Sequence, residues 1–134
     1  MVPFDIQLIR IFLHVLAATI WVGGQFTLAG LVPTLKRFGP EVTTAAARAF
    51  NRLAWPAYAV LILTGVWNLL EVQVGDRPTS YHMVLGIKLL LVAGSGLGAA
   101  AHVASRSKVV LAVGGSLAAL GALGSLLLGV WLRG

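Results

Sequence analysis

The chain has 134 residues, of which 58 % are hydrophobic and 10 % are charged. A water-soluble domain averages about 25 % charged and about 45–50 % apolar residues, so this composition excludes an ordinary soluble domain. The chain has no cysteine, which excludes disulfide bonds, thiolate metal ligands and thiol catalysis. The formal net charge of +6 does not predict nucleic-acid binding, because the basic residues lie mainly near the ends of apolar segments, where they set membrane orientation.

Four apolar segments follow one another along the chain, and each predicts a membrane-spanning helix. Each has close to, or more than, the roughly 20 residues that cross a hydrocarbon core about 30 Å thick. The predicted fold class is therefore all-α: an integral membrane four-helix bundle in which residues 1–134 form a single domain. The predicted spans are residues 6–32, 53–72, 81–104 and 109–132.

The first segment is predicted to be a mature helix rather than a signal peptide, because it is too long for an h-region and no basic n-region precedes it. Polar side chains and one tryptophan recur along it at steps of three, four or seven residues, which places them on one helical stripe. His14 lies about eight residues inside, or about 12 Å at the α-helical rise. The stripe consists of Gln7, Arg10, His14, Trp21 and Gln25.

The connection that follows, residues 33–52, is predicted to be the longest loop. Residues 45–53 are predicted to form either a short interfacial helix or an early extension of the second span. On the second helix, Thr64 and Asn68 form an i, i+4 pair, with Glu71 about one turn further. These side chains lie near the end of the span. They therefore reach the membrane level of His14 if the helices alternate in direction.

The third segment carries a second stripe, in which polar side chains recur every seven residues. Lys88 lies about seven residues inside the span, where an ammonium group costs about 2.5–3.5 kcal/mol even on the lenient insertion scale. Such a group needs an anionic partner: Glu71, a substrate carboxylate or a haem propionate. The stripe consists of Tyr81, Lys88, Ser95 and His102.

Two further histidines leave alternatives open. His82, at the outer start of the third helix, is an interfacial residue, a second metal ligand or part of an entry path. His102 lies fourteen residues beyond Lys88, or about 21 Å, so it cannot bind the same metal atom as His14. It either caps the helix end or ligates a second centre.

The fourth segment has no ionisable residue between Lys108 and Arg133. Gly121, Ser125 and Gly129 recur at i, i+4 and i+8, and small residues at that spacing let helix backbones approach closely in lipid. We predict that this helix is scaffold, packed tightly within the bundle or at a dimer seam.

Basic residues at the span ends and in the loops predict the orientation. Six of them lie between the first and second spans or between the third and fourth, and three lie toward the opposite side. The positive-inside rule therefore predicts an up-down-up-down bundle in a bacterial plasma (inner) membrane, with both termini outside the cytoplasm. The first group is Lys36, Arg37, Arg48, Arg52, Arg106 and Lys108, and the second is Arg10, Arg77 and Arg133.

With this orientation three helices deliver polar groups to one outer cavity, because polar groups that face lipid are energetically costly. His14 is open to three explanations there: a hydrogen bond to a neighbouring helix, a metal or haem ligand, or a proton relay. Neutral imidazole is the commonest metal ligand in proteins and suits iron and copper. We therefore expect a cofactor in this cavity.

Three stretches resemble the CopD-type copper-resistance membrane domain: HVLAATIWVGGQF, FNRLAWPAYAVLILTGVWN and GIKLLLVAG. The resemblance covers residues 8–108. The arrangement of His14, Lys88 and His102 is also similar to that of HemJ-type protoporphyrinogen oxidases, membrane proteins thought to bind haem b through such a histidine. The resemblance implies copper uptake or haem-linked redox work, with His14 as ligand. The site or packing residues that it implies are Trp21, Gly23, Gly24, Thr64, Gly65, Asn68 and Lys88.

The residues predicted to line the cavity suit haem b better than copper. Copper(I) favours sulfur ligands, whereas the chain has no cysteine and two methionines. His14 would supply one axial ligand and His82 a second, while Arg10 and Lys88 would neutralise the propionates. The glycines that would relieve crowding against the flat macrocycle are Gly23, Gly24, Gly65 and Gly86.

The predicted function is that of a small b-type haem redox protein with its site in the outer half of the bundle. It would exchange electrons between a membrane quinol or partner enzyme and an outside acceptor. His14 and His82 differ by about 9 Å in depth, so a single His14 ligand or a site shared across a homodimer stays open. The alternatives are a CopD-like copper-binding or uptake protein, a HemJ-like porphyrinogen oxidase and a non-catalytic assembly subunit.

Overall fold

The computed structural model describes residues 3–134, and Met1 and Val2 of the predicted domain lie outside the described residues. The described chain is almost entirely helical and contains no strand. Four helices are long and apolar enough to cross a membrane, which confirms the all-α prediction and the four membrane-length segments. They are Ile6–Lys36, Pro40–Glu71, Thr79–Ala104 and Lys108–Arg133.

The first of these helices is interrupted by a π-helical turn. It consists of α1 (Ile6–Ala18), the π-turn (Thr19–Gly23) and α2 (Gly24–Lys36). The second is α3 (Pro40–Glu71), and a 3₁₀ turn (Val74–Asp76) follows it. The remaining two helices are α4 (Thr79–Ala104) and α5 (Lys108–Arg133).

The connection is much shorter than the predicted loop over residues 33–52, because only Arg37, Phe38 and Gly39 separate α2 from α3. Of the two alternatives for residues 45–53, the early extension of the second span is confirmed and the separate interfacial helix is wrong. Gly39 has φ of 114°, a backbone conformation that favours glycine, and Pro40 occupies the first turn of α3, where its missing N–H costs nothing. Residues 40–52 therefore extend the second predicted span as helix. The sequence signal for the true boundary was the Gly-Pro pair.

The chain divides into two compact units, Met1–Gln73 and Val74–Gly134. The first contains a helical hairpin, residues 6–71, which we call the first hairpin. Its arms run antiparallel: Arg10 near the start of α1 meets Glu71 at the end of α3, whereas Gly24 on α2 meets Phe50. The second hairpin, residues 79–133, is formed by α4 and α5 alone.

The second hairpin is built on close contact between helix backbones. A Cβ atom on Gly98 would lie 2.7 Å from the carbonyl oxygen of Gly114, and one on Gly121 would lie 2.8 Å from that of Leu91. The buried Ser95 hydroxyl donates a 2.7 Å hydrogen bond to the carbonyl of Ala118. The predicted packing role is thus confirmed for Gly121, because only glycine permits this approach.

The arrangement of the two units as one domain, the alternating passage across a membrane and the external termini stay predictions. The two hairpins are therefore described separately below, each from its own contacts.

Candidate functional site

The π-turn lies in the middle of the first membrane-length helix. A π-turn widens the helix and displaces backbone carbonyls from their usual partners. Two side chains bond to carbonyls around it: the Thr19 hydroxyl donates to Leu16 at 2.6 Å, and the Gln25 amide donates to Trp21 at 3.0 Å. Side chains that satisfy backbone groups locally make such a break tolerable in lipid.

The π-turn also changes the predicted polar stripe of the first helix. The stripe assumed 100° per residue throughout, whereas the π-turn shifts the residues after it. Arg10 and Trp21 are buried and His14 is half-buried, as the stripe predicts. Gln7 is exposed near the helix start, and Gln25 uses its amide within its own helix.

An aromatic cluster fills the centre of the first hairpin. Trp21 is 3 % exposed, and its ring centroid lies 5.2 Å from that of Trp55 and 4.5 Å from that of Tyr58. Trp55 and Tyr58 follow each other at i, i+3 on α3, so both reach the same side of that helix. Sequence reasoning assigned a role to Trp21 and missed its two aromatic partners, although the i, i+3 spacing was visible.

His14 contacts α3 through its Nδ1 atom, 2.8 Å from the Thr64 hydroxyl oxygen. The same hydroxyl donates its only proton to the Val60 carbonyl at 2.7 Å. With the hydroxyl proton donated to Val60, Thr64 accepts from the ring, and this arrangement assigns the ring proton to Nδ1. The Nε2 atom is then the unprotonated nitrogen, which is the form of imidazole that ligates metals.

Arg10 lies about one turn from His14 and is 7 % exposed. Its Nη1 atom approaches the Glu71 carboxylate at 3.7 Å, a loose contact with a side chain that is 57 % exposed. The guanidinium also lies over the Trp67 ring, 6.0 Å from its centroid. The buried Nε atom has no hydrogen-bond partner among the described residues. Arg10 is thus a buried cation whose hydrogen-bonding capacity is only partly used.

The other predicted site residues of the first hairpin have distinct surroundings. Gly65 lies beside the His14 ring, whose Cε1 atom is 3.5 Å from the position of a Cβ on that glycine. Gly24 makes room for the Phe50 ring, so its contact is one of packing. Asn68 is half-buried about one turn beyond Thr64, and Gly23 has open space beside it.

The predicted stripe of the third span faces α5 within the second hairpin. Ser95 bonds to Ala118, and the Nδ1 atom of His102 donates to the Leu111 carbonyl at 2.6 Å. His102 therefore ties the end of α4 to the start of α5, in line with its predicted role at the helix end. Lys88 lies against α5 beside Gly129. Its convergence with His14 on one cavity stays a prediction.

His82 lies on the exposed start of α4, where its Nε2 atom donates to the Val74 carbonyl at 2.6 Å. A metal bound to His82 in this conformation would have to use Nδ1. Among residues 3–134, no three His, Asp or Glu side chains come together in a group that could hold a metal ion. The pairing of His14 and His82 as metal ligands stays a prediction, and Gly86, one turn along, has open space beside it.

Comparison with known proteins adds one relative. An uncharacterized protein of Aquifex aeolicus (strain VF5) is 31 % identical to this chain over 87 residues. The similarity covers 61 % of this chain and 60 % of the relative, so the chain spans about three-fifths of that protein's length. No protein-family model matches the chain, and no solved structure matches it. The resemblance to CopD-type and HemJ-type proteins therefore stays a prediction.

Proposed function

We propose that the chain is a small membrane redox protein that binds haem b through Nε2 of His14. The observation that carries the proposal is the hydrogen bond from His14 Nδ1 to Thr64, whose own proton is used by Val60. Ligating histidines generally donate their other ring N–H to an acceptor, which sets the tautomer and the ring orientation. Thr64 does this for His14 from a neighbouring helix.

A single histidine is a sufficient protein ligand for haem. The porphyrin itself would supply most of the ligands of its iron, so His14 alone could hold the group, whereas a bare copper ion would need most of its ligands from the protein. When bound, the haem would supply one-electron oxidation and reduction. The chain's own residues would hold the imidazole, exclude water and neutralise the propionate groups.

Arg10 supports haem over a bare metal ion. A buried guanidinium with an unused Nε–H favours an anion nearby, and a propionate would satisfy it with a charge-assisted hydrogen bond. Arg10 lies on the same helix face as His14, about one turn away, or about 6 Å along the axis. A propionate could therefore reach Arg10 from a porphyrin held at His14.

We further propose that the four helices form one bundle in a bacterial inner membrane, with both termini outside and the haem in the outer half. The distribution of Lys and Arg between the two ends of the helices supports this orientation. A quinol or a partner enzyme would exchange electrons with the haem. The copper-handling, porphyrinogen-oxidase and assembly-subunit readings are the competitors that the experiment must separate.

The test is the absorption spectrum of the protein purified in mild detergent, oxidised and then reduced with dithionite. We expect a Soret band with α and β bands that sharpen on reduction. His14→Gly should lose the haem, and added imidazole should restore the band if the loss is of a ligand rather than of the fold. His102→Gly is the matched control and should keep the spectrum, because His102 bonds to a backbone carbonyl in the second hairpin.

Three results would count against this proposal. Wild-type haem content and an unchanged spectrum in His14→Gly would remove His14 as the ligand. A featureless visible spectrum with copper retained in a His14-dependent way would favour the CopD-like reading. Haem loss on His102→Gly equal to that on His14→Gly would show that haem content follows general stability rather than ligation.

A further inference from the structure

One end of the second hairpin gathers positive charge with little compensation. Arg77 precedes α4, Lys88 lies within α4, and Arg133 ends α5. The only Asp or Glu side chain of residues 74–134 is that of Asp76, which is exposed. Within the part of the chain that the structure describes, no carboxylate lies within salt-bridge distance of Lys88.

The Lys88 side chain reaches toward this end along the surface of α5. Its Nζ and Cε atoms lie 3.2 and 3.4 Å from the position that a Cβ on Gly129 would occupy. Gly129 is four residues from Arg133, or about 6 Å along the helix. The glycine thus opens a place on α5 where the ammonium is held near the end of the hairpin rather than deep in the span.

Aromatic side chains surround the same end. The Arg77 guanidinium lies over the Tyr81 ring, 5.4 Å from its centroid, and Trp131 is 67 % exposed. Tyr81 and Trp131 line a shallow pocket together with Pro78, Ser80, Val84 and Leu132. Tyrosine and tryptophan prefer the level of the lipid headgroups, which places this pocket at the membrane surface.

We propose that this end of the second hairpin binds the phosphate of an anionic phospholipid between Lys88 and Arg133. Lys88 lies against α5 beside Gly129, about one turn before Arg133, so the two cations share this end of the hairpin and repel each other. An anion bound between them turns this repulsion into attraction. A phospholipid also explains the apolar surface next to the charges, because Leu127 and Val130 of α5 are 66 % and 64 % exposed and can contact acyl chains. This inference is independent of the haem proposal.

The test is native mass spectrometry of the detergent-purified protein, titrated with phosphatidylglycerol and, separately, with phosphatidylcholine. We expect selective binding of phosphatidylglycerol, and about fivefold weaker binding for each of Lys88→Gln and Arg133→Gln, since each removes one charge near the headgroup. The matched control is Arg106→Gln with Lys108→Gln, which removes two charges from the other end of the same hairpin. The control should keep the affinity within about twofold, because these charges lie beyond a Debye length of about 8 Å.

A third variant, Gly129→Ala, keeps every charge but places a methyl group against the Lys88 ammonium. It should weaken phosphatidylglycerol binding if the position of Nζ matters. Haem content should be unchanged in Arg133→Gln and in the control that lacks the charges of Arg106 and Lys108. Arg133 is exposed at the end of α5, so Arg133→Gln should fold. This variant therefore tests the proposal even if Lys88→Gln does not fold.

Four outcomes would overturn the proposal. The first is equal binding of both lipids. The second is a loss of phosphatidylglycerol affinity in the Arg106 and Lys108 control equal to that in Lys88→Gln or Arg133→Gln. The third is competition by inorganic phosphate at concentrations matching the lipid, which would indicate a site for free phosphate. The fourth is loss of haem in Lys88→Gln without loss of lipid selectivity, which would assign Lys88 to the cofactor instead.

Discussion

The two hairpins solve the same problem, the pairing of helices of membrane length, in opposite ways. The first places large and polar side chains between its arms, with Trp21, Arg10 and His14 among them. The second brings backbones together at Gly98 and Gly114 and leaves little space between them. In lipid, apolar burial gives helices no preference for one another, so close packing and hydrogen bonds must hold each pair.

The difference shows where chemistry is accommodated. Where the backbones of α4 and α5 touch there is no volume for a ligand between the helices, so polar groups there bond to carbonyls, as Ser95 and His102 do. A hairpin held by side chains can give an imidazole and a guanidinium specific partners. The first hairpin is therefore the better candidate for a cofactor site. The second is better suited to a structural role, with positive charges at one end.

The largest expected effect comes from Trp21→Ala in the first hairpin. The indole is buried against Trp55 and Tyr58, so its removal should cost about 3–5 kcal/mol of unfolding free energy. Reversible unfolding in mixed detergent, followed by circular dichroism, measures the loss. Trp131→Ala is the matched control and should cost less than about 0.5 kcal/mol, because Trp131 is 67 % exposed. Equal losses in the two variants would contradict a side-chain-packed first hairpin.

A smaller effect is expected from Gly98→Ala in the second hairpin. The new Cβ would lie 2.7 Å from the Gly114 carbonyl oxygen, which must move, at a cost of about 1–3 kcal/mol. Gly86→Ala on the same helix provides the control, since no atom lies within 4 Å of its Cβ position. The measurement is the detergent composition at which half of each variant is unfolded. If this midpoint is the same for Gly98→Ala and Gly86→Ala, α4 and α5 are not held by backbone contact.

The smallest change in stability is expected from Thr64→Val, which preserves shape and removes the acceptor of His14. The lost hydrogen bond should cost about 1 kcal/mol of unfolding free energy. If the haem proposal is right, affinity for haem should also fall about 10–100-fold, because ring orientation and tautomer are no longer set. Haem titration of the apoprotein measures this. Thr27→Val, at an exposed position on α2, should leave both quantities unchanged.

Sequence reasoning found much of the candidate site but not its internal connections. Regular spacing placed Arg10, His14 and Trp21 on one face, and the structure agrees for all three. The same spacing put Lys88, Ser95 and His102 on one face of the third span, and the structure shows that each of them contacts α5, which the spacing did not identify. A periodicity specifies which residues share a face, and it carries no information about which helix covers that face.

The sequence by itself determined the all-helical class and the four membrane-length segments, because the thickness of a hydrocarbon core sets the length of apolar chain needed to cross it. Only the tertiary structure decided that a π-turn interrupts the first helix and that Thr64 accepts from His14. These features depend on the register between two antiparallel helices, where a shift of one residue changes every partner. Composition and spacing within one helix cannot specify that register.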